Sequence, residues 1–279
     1  VTIAYLVIAH EDTEQVSRLL GALDQRGSVV AVLLDAASPR AFRSAVRARL
    51  GELKHAQTFE LKPRHVVWGG ISLGLVYLDG MRELLALNAR WRYFVPVSGR
   101  CLPTQSHEAL LAFLLAHEGT NFAESECLVT EAPRHLDRVD RYHIPVVLPG
   151  IRTTIHTRFS RPLPSWFSLQ KGSAWTMLHR SFCEEATRSP LAKRIARHMR
   201  WSFVADELLV QSILMSGPFA STIDRDARRY IDFEEGARHP RVLTMRDLPT
   251  LQNGRYFFAR KFDRRVDGEV IDALVASLP

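Results

Sequence analysis

Long apolar runs are missing from this 279-residue chain: no stretch of about 18 or more uncharged apolar residues occurs, so no transmembrane helix is expected. The opening VTIAYLVIAHED lacks the basic start and small-residue cleavage site of a secretory leader, and it reads as a buried first strand. Cysteine is scarce. Cys101, Cys127 and Cys183 make an odd count without metal-ligand spacing, which points to reduced thiols and a cytosolic setting rather than a disulfide framework. Neither GxGxxG nor a Walker A motif appears, and WGGISLG (68–74) precedes a helix without a Lys-Ser/Thr pair, so it reads as a tight turn. Aromatic-flanked basic repeats and known nucleic-acid motifs are missing as well, so nucleic acid is not an expected partner. Without internal repeats, low-complexity tracts or a clean linker, one domain over residues 1–279 is expected.

What is present is ordinary globular material, 46% hydrophobic and 24% charged, with enough length for a sizeable core. The net charge of +7 suits anionic partners such as phosphates or an anionic membrane face, or else a merely solvated surface. VTIAYLVIA (1–9) and SVVAVLLDA (28–36) are β-branched runs of the kind covered on both faces. Between them Val16, Leu19, Leu20 and Leu23 form one helical stripe, with Asp12 or Thr13 as its cap and Gly27 as its end. Helices near 39–50, 72–89 and 106–117 and a strand over 92–98 continue the alternation, which predicts an α/β chain with a mostly parallel sheet flanked by helices. From 130 to 165 the text turns rich in Pro, Arg and His and reads as a long loop with short strands, the kind that shapes a binding site. Helices resume near 179–198 and 204–215.

Several residues invite chemistry. Asp35 ends the second strand and could accept bonds from a base or ribose, or could serve as a cap beside Ser38; His10 would share that sheet edge. In VADELLVQSIL, Asp206 and Glu207 open a helix, where carboxylates normally serve the dipole. Glu207, however, abuts the apolar run, where burial would tune it as a general base. Trp175 follows a Gly-Ser turn and could stack on a sugar ring or pack in the core. Asp224-Arg225-Asp226 is the literal match to the DxD metal motif, but its arginine and late position count against a metal site, and no metal or other cofactor is expected. RYFFARKFD sets Arg260 and Lys261 among four aromatics, and a buried cation needs an anion. With Arg241 upstream, these charges could offset a departing diphosphate or simply bridge to Asp263 and Asp247.

Taken in order, IAYLVIAHED, VVAVLLDAAS, HVVWGGISL, YFVPVSGRCLPTQS, QKGSAWTML, ADELLVQSIL, RRYIDF and YFFARKFD span nearly the whole chain. In these segments the chain resembles the core-2/I-branching enzymes, a family of β-1,6-N-acetylglucosaminyltransferases that also includes peptide O-xylosyltransferases. The resemblance implies a glycosyltransferase A-type fold, with a nucleotide-binding half at about 1–125 and an acceptor and catalytic half at about 126–279. It further implies inverting, metal-independent transfer from a UDP-sugar to a glycan or lipid-linked acceptor. Residue by residue, it makes Glu207 the base, Arg241 and Lys261 the diphosphate ligands, and His10 and Asp35 neighbours of the uridine. Ser98 and Gly99 would lie beneath the donor, with Trp175 and Asp206 in the pocket. WGG and ARKFD lean toward the xylosyltransferase side. The chain departs in Leu33-Leu34-Asp35, where the family often has His-x-Asp, and in lacking the stem and disulfides of the Golgi members. The expectation is a bacterial, cytoplasmic relative acting in surface-glycan synthesis, possible peripheral contact with the inner face of an anionic membrane included.

Overall fold

Apolar residues on both sides of a strand demand cover on both sides, and the two runs at the start of the chain receive it. In the computed structural model, which describes residues 3–278 apart from 88, 149–150, 235–236 and 238, every residue of β1 (Ile3–Ala9) and β2 (Ser28–Leu34) is buried. In chain order there follow, with α1 (Thr13–Leu23) between those strands, α2 (Arg40–Gly51), β3 (Gln57–Glu60), α3 (Ser72–Ala86), β4 (Tyr93–Ser98), β5 (Cys101–Pro103) and α4 (His107–Ala116). The chain divides into two compact units, one of residues 1–63, 90–118 and 228–279 and one of residues 64–89 and 119–227.

The first unit is built on parallel strands in the order β4-β1-β2-β3, with Ile3 opposite Ser28 and Tyr93 at one end and Ala9 opposite Leu34 at the other. This is the α/β arrangement expected from the alternating pattern. Asp12 caps α1, accepting from the Gln15 N–H at 3.1 Å, and Val16, Leu19, Leu20 and Leu23 are buried as their spacing predicts. The helix stops at Leu23, earlier than Gly27, whose positive φ of 81° instead serves the turn into β2. The same unit holds a small sheet in which Arg229–Ile231 runs parallel to Phe258–Arg260, itself antiparallel to β5. The late segment 228–279 thus folds with the early strands.

The second unit is mainly helical, with α3, Arg180–Arg188, Pro190–Met199 and Leu209–Ser216. Tyr77, Met81, Leu84, Phe182, Ile195, Met199, Leu209 and Leu214 are among its buried side chains. Two expectations need correction here. The helix predicted over 179–198 is two helices, because Ser189 accepts from the Leu191 and Ala192 N–H groups and Pro190 opens a new first turn. The segment read as a loop contains a 3-10 turn at Pro133–Arg138 and a long antiparallel hairpin, Arg141–Leu148 with Ile151–Ser160; residues 149–150 lie outside the described residues. The predicted helix over 72–89 ends at Ala86. Among the described residues, no helix is long and apolar enough to cross a membrane, and all three cysteines are free.

Candidate functional site

Parallel strands end on one edge, so the residues just after β1, β2 and β4 in the first unit gather there. His10 follows β1 with its side chain largely exposed, 3.5 Å from the Glu11 carboxylate. Asp35 follows β2, donates its N–H to the Ala9 carbonyl and accepts the Ala37 N–H on Oδ1 at 2.8 Å, a turn that the short carboxylate closes on itself. Ser38 is no helix cap: its hydroxyl donates to the His10 carbonyl at 2.8 Å, tying the two strand ends together. Ser98 ends β4, and its Oγ accepts from the Arg100 N–H at 3.3 Å. At Gly99 a Cβ would stand 2.8 Å from Val16 Cγ2, so the close approach of helix α1 to this edge requires glycine. Gln15, buried in α1, donates from Nε2 to the carbonyls of Gly99 and Phe262, both at 3.0 Å, and fixes the late chain against the same edge.

Lys261 arrives through that late chain. Arg260 pairs with Cys101 across the small sheet, and the Leu243 N–H donates to the Lys261 carbonyl at 2.9 Å. The lysine is half-buried, and desolvation lowers its pKa; Arg100 and Arg260 add repulsion, against a weaker pull from Asp263 and Glu11. Arg100 has its own partners, Glu11 at 2.7 Å and Asp263 at 3.2 Å. Among the described residues, no hydrogen bond or ion pair is formed by the Lys261 ammonium. Arg241 is in the opposite condition. It donates from Nε to Asp232 at 2.6 Å and from Nη1 and Nη2 to both oxygens of Asp247. These bonds raise the arginine's pKa and hold Asp247 below the usual carboxylate range. The bridge to Asp247, one of the two roles open to Arg241, is formed.

In the second unit Glu207 ends the short turn Ala205–Glu207, which precedes the helix Leu209–Ser216 rather than continuing into it. Val204 enters the turn at a positive φ of 49°, a rare conformation for a β-branched residue, held by its N–H bond to the Gly69 carbonyl at 2.7 Å. The burial expected of Glu207 is not found: its side chain is about a third exposed and accepts from Arg138 Nη1 at 2.7 Å. Its carbonyl accepts the Gly172 N–H at 2.9 Å. A Cβ on Gly172 would meet the Glu124 carbonyl oxygen at 1.9 Å, so the Gly-Ser turn is there to let two backbones touch. The Glu124 carboxylate accepts the Ser173 N–H at 3.2 Å. Solvent reaches Glu124, yet the atoms crowded around it desolvate the carboxyl and raise its pKa; the Ser173 bond and Lys171 act in the opposite direction, and Glu207 and Glu126 raise it further.

The aromatic expectation also changes. Trp175 is 8% exposed and packs in the interior, whereas Trp68, in WGG, is 65% exposed and stands edge-on to Phe203. Gly69, at φ 76°, would place a Cβ 2.3 Å from the Phe203 ring, and a Cβ on Gly74 would lie 3.5 Å from the Asp206 Cα, so these glycines seat WGGISLG on the 203–209 segment. Asp206 is half-buried beside Glu207. Asp224 spends Oδ1 on the Asp226 N–H at 2.9 Å. Among the described residues, no group of three or more His, Cys, Asp or Glu side chains is placed to hold a metal ion. The sequence reading missed Arg138, Arg100 and Glu124, since none carries a local pattern; the one usable signal was the density of arginine in 130–165.

A family model described as Core-2/I-Branching enzyme matches residues 3–251, which contain every candidate above except Arg260 and Lys261. Mouse xylosyltransferase 2 is 26% identical over 296 residues, covering 98% of this chain and 33% of that protein. Human beta-1,3-galactosyl-O-glycosyl-glycoprotein beta-1,6-N-acetylglucosaminyltransferase 3 is 24% identical over 301 residues, covering 98% of this chain and 67% of that protein. The chain therefore spans about a third of the length of the xylosyltransferases it matches. Among solved structures, S. aureus TarS 1-349 aligns with 80% of this chain and 57% of its own at 11% identity and a TM-score of 0.43, a likeness too distant to carry an argument.

Proposed function

We propose that this chain, which belongs to the Core-2/I-branching enzyme family, is an inverting glycosyltransferase that moves a sugar from a UDP-sugar to a glycan hydroxyl without a metal ion. The observation that carries the reading is Glu207, an accessible carboxylate on a rigid turn with an arginine beside it. Inversion needs one base that takes the acceptor proton as the acceptor oxygen attacks opposite the leaving group, through an oxocarbenium-like transition state as in inverting glycoside hydrolysis. Base assistance of this kind is worth roughly 100- to 10,000-fold. The departing diphosphate would meet Lys261 foremost; Arg241 is the proposed second ligand and would exchange one of its carboxylate partners, Asp232 or Asp247, for a phosphate oxygen. His10, Asp35, Ser98 and Gly99, at the strand edge, are assigned to the nucleoside and donor, and Asp206 to the pocket, with the interior Trp175 as a packed wall rather than a ring that stacks on the sugar.

The donor is assigned as UDP-N-acetylglucosamine; UDP-xylose is the second reading, favoured by the 26% identity to xylosyltransferase 2. The acceptor is assigned as a glycan of bacterial surface polysaccharide carried on a lipid, met at the inner face of an anionic membrane, which the +7 charge suits. The test is a transfer assay in excess EDTA with a panel of UDP-sugars, run on wild type and Glu207→Gln. The expected result is turnover with one preferred donor, lost by about 100-fold or more in the variant while UDP affinity stays within about twofold. Turnover retained by the variant removes Glu207 as the base. Donor binding without turnover in the wild type would leave a glycan-binding protein instead, and turnover only after a divalent ion is restored would overturn the metal-free mechanism.

A further inference from the structure

The hairpin Arg141–Leu148/Ile151–Ser160 carries its hydrophobic residues on the wrong side for a core. Successive side chains of a strand point to opposite faces, and the register pairs His143 with His156, Pro145 with Thr154 and Val147 with Arg152 in one row. That row faces the protein: His143 is buried, donates its N–H to the Trp201 carbonyl at 2.9 Å and meets His156 through Nδ1 at 2.9 Å, while Thr154 donates to the Trp68 carbonyl at 3.2 Å. The other row pairs Ile144 with Ile155, Val146 with Thr153 and Leu148 with Ile151. Ile144 is 39%, Leu148 56%, Ile151 52% and Ile155 51% exposed, a continuous aliphatic strip. Val147 and Arg152 of the inner row are exposed too, although Arg152 also donates to the Val66 carbonyl at 3.4 Å.

Charge decides what covers it. Residues 141–160 contain three arginines, two histidines and no Asp or Glu. Arg141, Arg152 and Arg158 are exposed along the ribbon's length. Although Arg152 belongs to the inner row, its side chain is exposed, and a second copy paired edge to edge with the ribbon would bring these cations beside like charges, which disfavours pairing. A partner that is anionic at its surface and apolar just beneath satisfies both features at once, and a bilayer with anionic headgroups is such a partner.

We propose that this hairpin is a membrane-docking element whose aliphatic outer row enters the headgroup layer of an anionic bilayer while Arg141, Arg152 and Arg158 engage lipid phosphates. The inference rests on the reading that the acceptor is carried on a membrane, and it names the part of the chain that makes the contact. The experiment is co-sedimentation with phosphatidylglycerol/phosphatidylcholine vesicles and with pure phosphatidylcholine vesicles. Wild type is compared with Leu148→Ser/Ile151→Ser and with Arg152→Gln/Arg158→Gln, whose unchanged melting transitions establish folding. Wild type should bind the anionic vesicles selectively and release as salt rises. The serine pair should weaken partition by at least about tenfold, and the glutamine pair by roughly 30-fold. No wild-type binding, or binding that neither pair alters, overturns the proposal. So does a concentration-dependent dimer in sedimentation velocity that the serine pair abolishes, which would give the strip to a second copy. The vesicle assay contains neither donor nor acceptor, so its failure leaves the transferase reading standing, and vesicle binding by an inactive protein fails the transferase reading alone.

Discussion

Replacing Lys261 with methionine separates a lysine kept for a ligand from one kept for the fold. Methionine retains the apolar stem and removes only the charge. In the free protein that charge is a handicap: the ammonium is partly desolvated and repelled by Arg100 and Arg260, which lowers its pKa. A base with a folded pKa below its unfolded value costs stability at every pH where both states are charged, and the cost fades as pH rises through the folded pKa toward the unfolded one. Lys261→Met should therefore melt at the same temperature as wild type or slightly higher near pH 7. The gain should stay below about 1 kcal/mol, because solvent screens a half-exposed group, and it should shrink toward pH 10. The UDP affinity should move the other way. A hydrogen bond to a charged group is worth about 1.5–3 kcal/mol, which at about 1.4 kcal/mol per decade is roughly a 10- to 150-fold loss. Calorimetric titration of UDP in EDTA, with thermal melts across pH, reads both. A variant that loses stability yet binds UDP as well as wild type refutes the reasoning, because it would make Lys261 a structural cation.

Two further substitutions test the fold around the candidate residues. Gly172→Ala drives a Cβ to 1.9 Å from the Glu124 carbonyl, so the two backbones must part; it should cost at least about 2 kcal/mol in urea denaturation. Gly51→Ala, with nothing within 4 Å at the end of α2, should instead add about 0.5–1 kcal/mol. Asp263 has its pKa lowered to about 2, first by the Arg265 side chain and also by Arg100. A carboxylate of depressed pKa contributes stability above its unfolded pKa and loses it as pH falls toward 2. Asp263→Asn should thus cost about 1 kcal/mol at pH 7, discounted because Arg265 is mostly in water, and nothing near pH 2, as acid-titration melts would report.

The elements legible from sequence are those whose apolar residues face inward. In β1 and β2 every side chain is covered, and in α1 the stripe Val16, Leu19, Leu20, Leu23 is the buried face, so pattern and burial agree. The hairpin reverses this relation. Its inward residues, His143 and Thr154, are polar and its isoleucines face solvent, so a reading that equates apolar with buried finds only an irregular loop. The candidate residues divide in the same way. Glu207 stood out beside an apolar run, whereas Arg138 acquires meaning only from the fold that sets it 2.7 Å from Glu207 across 69 positions of sequence. Of the two readings open to Trp175 the core one holds, and Trp68, given no role by the sequence, is the exposed ring, because exposure leaves no trace in local composition.

The break at Leu208 sets Glu207 apart from an ordinary first-turn carboxylate. Had the helix run without interruption from residue 204, Glu207 would occupy its first turn and its charge would serve the helix's unpaired N–H groups. Instead Val204 adopts a left-handed conformation, which costs on the order of 1–3 kcal/mol and persists only where surrounding contacts impose it. Here they do: the Gly69 carbonyl holds the Val204 N–H, and the Gly172 N–H holds the Glu207 carbonyl. The turn is pinned on both sides by glycine segments, each passing too close to its neighbour for any side chain. The helix from Leu209 then starts without a side-chain cap, while the nearest carboxylate is turned away from it toward Arg138. The cap is left vacant, and Glu207 pairs with Arg138 instead, from a turn held at some conformational cost; the Glu207→Gln transfer assay decides whether that carboxylate also serves as the base.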